Sequence, residues 1–319
     1  MNCRGAGSRL GKAGSELQST VTLFYAGGRP MVAATSYDGV FTIHDAATGD
    51  LLRELPDAAA WQTREQFSLD SRRLFLVGSA PDGDATVWDT QTWSQLSRVP
   101  ASEFEQAVCS PHAKSIVLVQ RGSNDLSNVS VWNVDTQRIV ARHEDRFSIP
   151  YLSVAFADDD SRIAIFDRAH SAVVLLDGSS GAILHEFEQQ GEAPTAALEF
   201  SPDASQLYVA RGTKVEIWNT RTGAHERDLE IPSDEERSSA LGASVDALLV
   251  SGFGAEITLV DVASGRARWT RREEVANAWA CAWTPERGHV LVSHDDDVAL
   301  LDARDGSTLQ TFAGPHIAS

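Results

Sequence analysis

The chain is poor in the features that would declare a chemistry or a compartment outright. No apolar run comes near the roughly 18 residues a membrane-spanning helix needs, and Met1 to Thr20 holds no hydrophobic h-region. The expectation is a cytoplasmic protein with no membrane partner. Only three cysteines occur, Cys3, Cys109 and Cys281, and the last two fall in non-adjacent repeats, which argues against a disulfide and fits a reducing compartment. Basic residues are the minority, 27 Lys and Arg against 45 Asp and Glu, for a formal charge of −18. Nucleic-acid affinity rests on cations that neutralise phosphates, so no nucleic-acid partner is expected. A basic protein partner is compatible with this charge.

Catalytic signatures are missing as well. There is no His-Glu-x-x-His, no Cys-x-x-Cys and no Gly-x-Ser-x-Gly elbow, and the nine histidines are scattered along the chain. The stretch Ala6 to Ala13 has a phosphate-loop look, but it lacks the first Gly and the final Ser or Thr, and no strand precedes it. Asp158 to Asp160 and Asp295 to Asp297 offer the oxygen ligands calcium prefers. Both runs sit in hairpin turns, where Asp is favoured because it satisfies local backbone donors. Asn128-Val-Ser130 matches a glycosylation triplet without a secretion signal to make it meaningful. These readings predict no enzyme, no cofactor and no metal.

What the chain does have is a period. An apolar strand ends in an acidic or amide residue followed by a Gly- or Thr-containing turn at Asp45, Asp89, Asn133, Asp177, Asn219, Asp261 and Asp302, at intervals of 44, 44, 44, 42, 42 and 41. A repeat of about 40 to 45 residues is the length of a four-stranded propeller blade. A second landmark keeps the same beat: an apolar residue at Phe24, Phe67, Cys109, Phe156, Phe200, Leu241 and Trp283, with a new apolar run starting seven residues later. Within each repeat, turn residues and apolar runs alternate at hairpin spacing, predicting strands a to d. In the fifth repeat these are Thr195 to Phe200, Gln206 to Ala210, Lys214 to Asn219 and His225 to Leu229. Strands b, such as Ile116 to Val119, are continuously apolar, as a strand buried on both faces must be.

The expected fold is therefore all-β: a seven-bladed β-propeller with four antiparallel strands per blade, one domain spanning 19–314. Its blades are placed at about 19–56, 61–100, 104–143, 149–188, 194–230, 237–270 and 276–313. Residues 1–18 read as a flexible leader or linker and 315–319 as a tail. Blade one already has four strands, and so does blade seven, which predicts that the two share none. The alternative is that leader residues pair onto the edge of blade seven.

These repeats resemble the WD40 family, on Trp88-Asp89, its variants Trp132-Asn133 and Trp218-Asn219, and Ser-Pro after strand a at residues 110–111 and 201–202. The Gly-His before strand a that belongs to that family is absent, so the chain resembles a divergent member or a bacterial propeller of the looser quinoprotein type. The resemblance implies a non-enzymatic scaffold, a monomer or a domain within a larger chain or complex. It would bind a protein or peptide partner through the loops joining strands d to a and b to c. The alternative is a propeller enzyme, quinoprotein-like or lactonase-like, that binds a small molecule or metal in its channel. Trp88, Asp89, Trp132, Asn133, Trp218 and Asn219 are assigned structural roles.

Aromatic and Arg side chains are the usual anchors of interfaces. Those in the loops concerned are Tyr37, Trp61, Arg121, Arg146, Phe147, Tyr151, Arg168, Arg211 and Phe253. The longest landmark interval, 47 residues from Cys109 to Phe156, predicts enlarged loops at Arg121 to Asn128 and His143 to Pro150, which places the contact near blades three to five. Trp93 stands where a turn glycine is expected, as a second contact or as packing on Pro81 or its own blade.

Overall fold

Seven antiparallel sheets follow one another along the computed structural model, each with its strands in chain order. It describes residues 3–4, 20–26, 29–35, 40–55, 64–77, 84–100, 102, 104–123, 126–148, 153–167, 171–188, 197–211, 213–231, 238–252, 256–272, 278–284, 288–294 and 297–313. The fold is an all-β, seven-bladed propeller, as the repeat predicts. Blade five is typical, with strands Ala197–Phe200, Gln206–Arg211, Lys214–Asn219 and His225–Glu230. Contacts divide the chain into two compact units. One is Met1–Arg146 with Ser179–Gly181 and carries blades one to three; the other is Phe147–Gly178 with Ala182–Ser319 and carries blades four to seven.

Burial follows strand position. Strand b of blade four, Arg162–Asp167, and its strand c, Ala172–Asp177, are buried at all but one position each. Strand d of blade one, Leu51–Leu55, is exposed except at Leu55. Within a unit the middle strands pack on the next sheet, as Val173 and Leu175 of blade four do on Leu207 and Val209 of blade five, and they lose the period-two alternation of a half-exposed strand. Outer strands keep polar residues on both faces.

The repeated Asp or Asn closes the hairpin between strands c and d. Asp89 Oδ1 accepts from the amides of Gln91 and Thr92 at 2.9 and 2.7 Å and from the Thr92 hydroxyl at 2.9 Å. Asn219 Oδ1 accepts from the Arg221 and Thr222 amides at 3.1 and 3.0 Å, and Asp261 Oδ1 from Ser264 at 2.8 Å. One acceptor oxygen is all the turn needs, so carboxylate and amide interchange along the repeat. Four residues later the chain turns left-handed. Gly49, Gly223, Gly265 and Gly306 take φ of 77°, 71°, 70° and 73° there, a region in which a Cβ is strained. Trp93 (φ 57°) and Gln137 (φ 53°) occupy the same place in blades two and three. The Trp93 ring is half-buried and packs on the cluster that holds Phe41 and Ile43 of blade one, so its packing offsets the backbone cost. Strand c carries a bulge against strand d in blades one, two and four to seven, at equivalent positions.

The three strand-c tryptophans pack between blades, as their equivalent positions predict. Trp88 joins Phe41 and Ile43 of blade one. Trp132 packs on a cluster containing Phe75 and Val87 of blade two and donates its Nε1–H to Ser97 Oγ at 2.9 Å. Trp218 stacks on Phe187 of blade four with centroids 4.8 Å apart. Neighbouring blades are also fastened by side chains that reach a backbone carbonyl of the next blade's turns. His185 reaches Arg221 O at 3.1 Å, Arg227 reaches Val262 O and Ala263 O, and Trp269 donates to Ala303 O at 3.0 Å.

Three expectations need correction. Strand d of blade three, Arg138–Ser148, runs through most of the segment read as an enlarged loop, His143 to Pro150. Within the charged run His143 to Arg146, Asp145 is left-handed (φ 44°) and its amide donates to the Asn128 side chain at 2.7 Å, and the strand runs on to Ser148. Second, Cys3–Arg4 is a strand that pairs Leu23 and Thr22, adding a fifth strand to blade one at the edge beside strand a; this part of the leader is thus paired, and not onto blade seven. Among the described residues no strand is shared between the first and seventh sheets, as predicted. Third, the seven-residue landmark misplaces strand a of blade six. Phe67 pairs Leu74, Cys109 pairs Ile116 and Phe200 pairs Leu207, but Leu248 pairs Ala243, and Leu241 pairs Val250. The turn between strands a and b is two residues shorter there, closed by Ser244 N to Ala247 O where blade two closes Ser68 N to Arg73 O.

Two expected outcomes follow from these contacts. Asp89→Asn keeps the acceptor oxygen and should unfold within about 0.5 kcal/mol of the parent in urea at neutral pH, whereas Asp89→Ala should cost about 1 kcal/mol, as loss of a capping acceptor does. The Thr92 amide holds the Asp89 carboxyl below the usual carboxylate range, and other turn aspartates such as Asp203 are lowered by their Ser partners. A folded-state pKa below the unfolded one adds stability that is present above about pH 4 and is lost as pH falls. Urea midpoints measured down the acid limb should therefore fall for the parent and fall less for Asp89→Asn. Trp132→Ala should destabilise by about 3 kcal/mol, the half-buried ring placing it at the lower end of the range for aromatic truncation. A melt like the parent's would refute the assigned packing.

Candidate functional site

Each blade has two ends, one carrying the b–c loop and the other the a–b and c–d turns. The sequence reading favours the first. Of its nine candidates, Tyr37, Trp61, Tyr151, Arg168 and Phe253 lie outside the described residues. Arg121 ends strand b of blade three, Ser115–Arg121, with its guanidinium largely exposed and Nε 3.8 Å from Glu105 Oε1. Arg146 is half-buried on strand d of the same blade. Phe147 beside it is fully buried, so its ring is part of the core and offers no surface to a partner.

Arg211 is placed most like an anchor. It ends strand b of blade five opposite Lys214, the two flanking the tight b–c connection. Its guanidinium lies over the buried Phe166 ring of blade four, Cζ 5.9 Å from the centroid, a cation–π arrangement. Burial works against its charged form and lowers its pKa, while the carboxylate of Glu216 opposes the shift. Lys214 Nζ is 2.7 Å from Asp228 Oδ2 and 3.9 Å from Glu216 Oε1, and these carboxylates raise its pKa. Two cations are thus held at one blade end of a strongly acidic chain.

At the opposite end the structure forms a cleft of about 520 Å³ between blades six and seven. Its lining comes from the short turn of blade six (Ser244, Asp246), from Arg268 on strand d, and from Trp283, His289 and Arg304 of blade seven. Sequence reasoning missed it. Arg73 shows why it exists: as the first residue of strand b in blade two it crosses to blade three, donating to Ala113 O at 3.0 Å and to Asp135 Oδ1 at 2.7 Å. The equivalent residue of blade six is Ala247, and the equivalent of Asp135 is Arg304. A methyl group cannot span the interval, and the shortened turn does not fill it. Its only mark in the sequence is Ala247 standing where blade two has Arg73, an equivalence that the count from Leu241 to Leu248 conceals.

Charges in the cleft are fixed by ion pairs. Arg304 grips Asp302 through Nε and Nη2, at 3.0 and 2.6 Å, and Arg268 Nη2 is 2.7 Å from both Asp246 Oδ2 and Asp261 Oδ2. These guanidiniums hold Asp302 and Asp261 far below the usual carboxylate range. Trp283 donates its Nε1–H to Gly242 O at 2.9 Å, and a Cβ at Gly242 would stand 3.2 Å from the indole, so the ring lies flush on strand a of blade six. Among the described residues no three His, Cys, Asp or Glu side chains converge as metal ligands would. Nor is any described helix long and apolar enough to cross a membrane.

No known family matches the sequence, and no curated protein does. Solved structures match in number. One is the crystal structure of the computationally designed Ika8 protein, with a TM-score of 0.71 at 18% identity over 94% of this chain and 88% of that one. At that identity the likeness is one of fold.

Proposed function

We propose that the chain is a non-enzymatic interaction module that binds a protein or peptide partner through the b–c loop end of its blades, with Arg211 as an anchor. The observation that carries this reading is the pair Arg211 and Lys214. Arg211 is propped on Phe166 and partly desolvated, and Lys214 is tied to Asp228, so both cations are already in place before a partner arrives. A side chain ordered beforehand loses less entropy on binding, which is what distinguishes an anchor from an ordinary surface arginine. The WD40-like character of the repeats favours the same use, since the rigid sheets present these loops while the chemistry-bearing motifs of enzymes are missing from the sequence.

The test is affinity capture from the source organism's lysate with mass spectrometry, using the tagged parent beside Arg211→Ala and, separately, Arg121→Ala with Arg146→Ala. A partner retained by the parent and depleted about tenfold by Arg211→Ala, while that variant melts like the parent, is the expected result. Equal recovery by all three, or no enriched protein, would overturn the assignment.

A further inference from the structure

The cleft between blades six and seven presents both signs of charge, each held in place, beside one aromatic surface. Arg304 is 88% exposed yet chelated by Asp302, which is itself 8% exposed. Arg268 makes its three described bonds through Nη2 alone. Nη1 of Arg304 and both Nε and Nη1 of Arg268 have no partner among the described residues, so their donors remain for a ligand. The accessible acceptor is Asp246, 69% exposed. Trp283 supplies the apolar surface, its own N–H already satisfied by Gly242 O.

Charge balance narrows the ligand. Asp246 and Asp302 of the lining balance Arg268 and Arg304, and with Asp261, bonded to Arg268, the local formal charge is −1 within a chain of −18. A simple anion would meet the field of the whole protein and the Asp246 carboxylate. A simple cation would reach Asp246 but would leave the guanidinium donors unused. A ligand with one charge of each sign satisfies both sets of groups and adds no net charge.

We infer that this cleft binds a small zwitterion, a free amino acid or a short peptide with an apolar side chain. Its carboxylate would be held by Arg304 and Arg268, its ammonium by Asp246, and its side chain by the face of Trp283. Volume agrees: about 520 Å³ lies within the range of roughly 300 to 1,000 Å³ typical of small-molecule sites. This site lies at the other end of the blades from Arg211 and does not depend on the interaction reading.

Isothermal titration calorimetry with four probes separates the terms. Phenylalanine and glycyl-phenylalanine are the zwitterions, phenylalaninamide lacks the carboxylate, and N-acetylphenylalanine lacks the ammonium. At least one zwitterion should bind about tenfold or more tightly than either singly charged analogue. Arg304→Gln should bring the zwitterion down to the level of the amide, and Asp246→Asn down to that of the N-acetyl compound. Arg221→Gln, on an exposed turn of blade five, should change neither. Because Arg304 is so exposed, its substitution leaves the melting temperature as a check that folding is intact. The proposal fails if no zwitterion binds at millimolar concentration, if a singly charged analogue binds as well, or if Arg304→Gln leaves affinity unchanged.

Discussion

A single acceptor oxygen at the end of strand c organises each blade. In blades one, two and five it receives the amides two and three residues on, as Asp89 does from Gln91 and Thr92, in blades three and six the amide three residues on, and in blade seven the amide two residues on. The left-handed residue and the c–d bulge follow at fixed offsets from it. Neither could drift by one residue without turning the buried face of strand c toward solvent, because side chains alternate with a period of two. The demand is for an oxygen, not for a charge, which is why Asn133 and Asn219 serve where Asp serves elsewhere. Spacing is thereby held to a few residues over seven repeats while the rest of the sequence varies.

Contacts between successive blades within each unit show how much variation that frame tolerates. The receiving group is repeatedly a backbone carbonyl at the next blade's turn, and the donor is whatever the outer strand provides: His185, Arg227 or Trp269. A carbonyl is present whatever the side chain, so the fastening survives substitution of the residues around it. A TM-score of 0.71 at 18% identity is the expected consequence of such construction. Geometry resides in backbone groups and in a few repeated acceptors, not in a conserved-looking set of side chains.

This division also explains what could be read in advance. The fold was legible because its determinants are local: the Asp or Asn, the turn glycine, and the apolar runs of strands b and c. Blade six resisted because counting seven residues from Leu241 to Leu248 finds the right spacing between the wrong partners, and only pairing reveals that Ala243 faces Leu248. Phe147 was read as a loop aromatic because the charged run before it looks like a loop, although the strand continues and the ring is buried. The cleft was hidden for a different reason. It depends on Ala247 failing to do what Arg73 does in another blade, an absence that has meaning only after the two positions are superposed.

The ion pairs at both blade ends fix the position of their cations more than they add to stability. Pairs this exposed are screened by water and counterions and add little to folding. Their cost in side-chain entropy is nonetheless met in the folded chain, at Lys214 with Asp228 and at Arg304 with Asp302. An acidic protein gains solubility from carboxylates left free, so pinning its scarce cations with them is a poor use of charge unless a fixed cation is itself useful. A ligand that meets a guanidinium already oriented avoids the ordering penalty that a flexible arginine would impose. The two blade ends hold these cations beside an aromatic ring, Phe166 at one and Trp283 at the other.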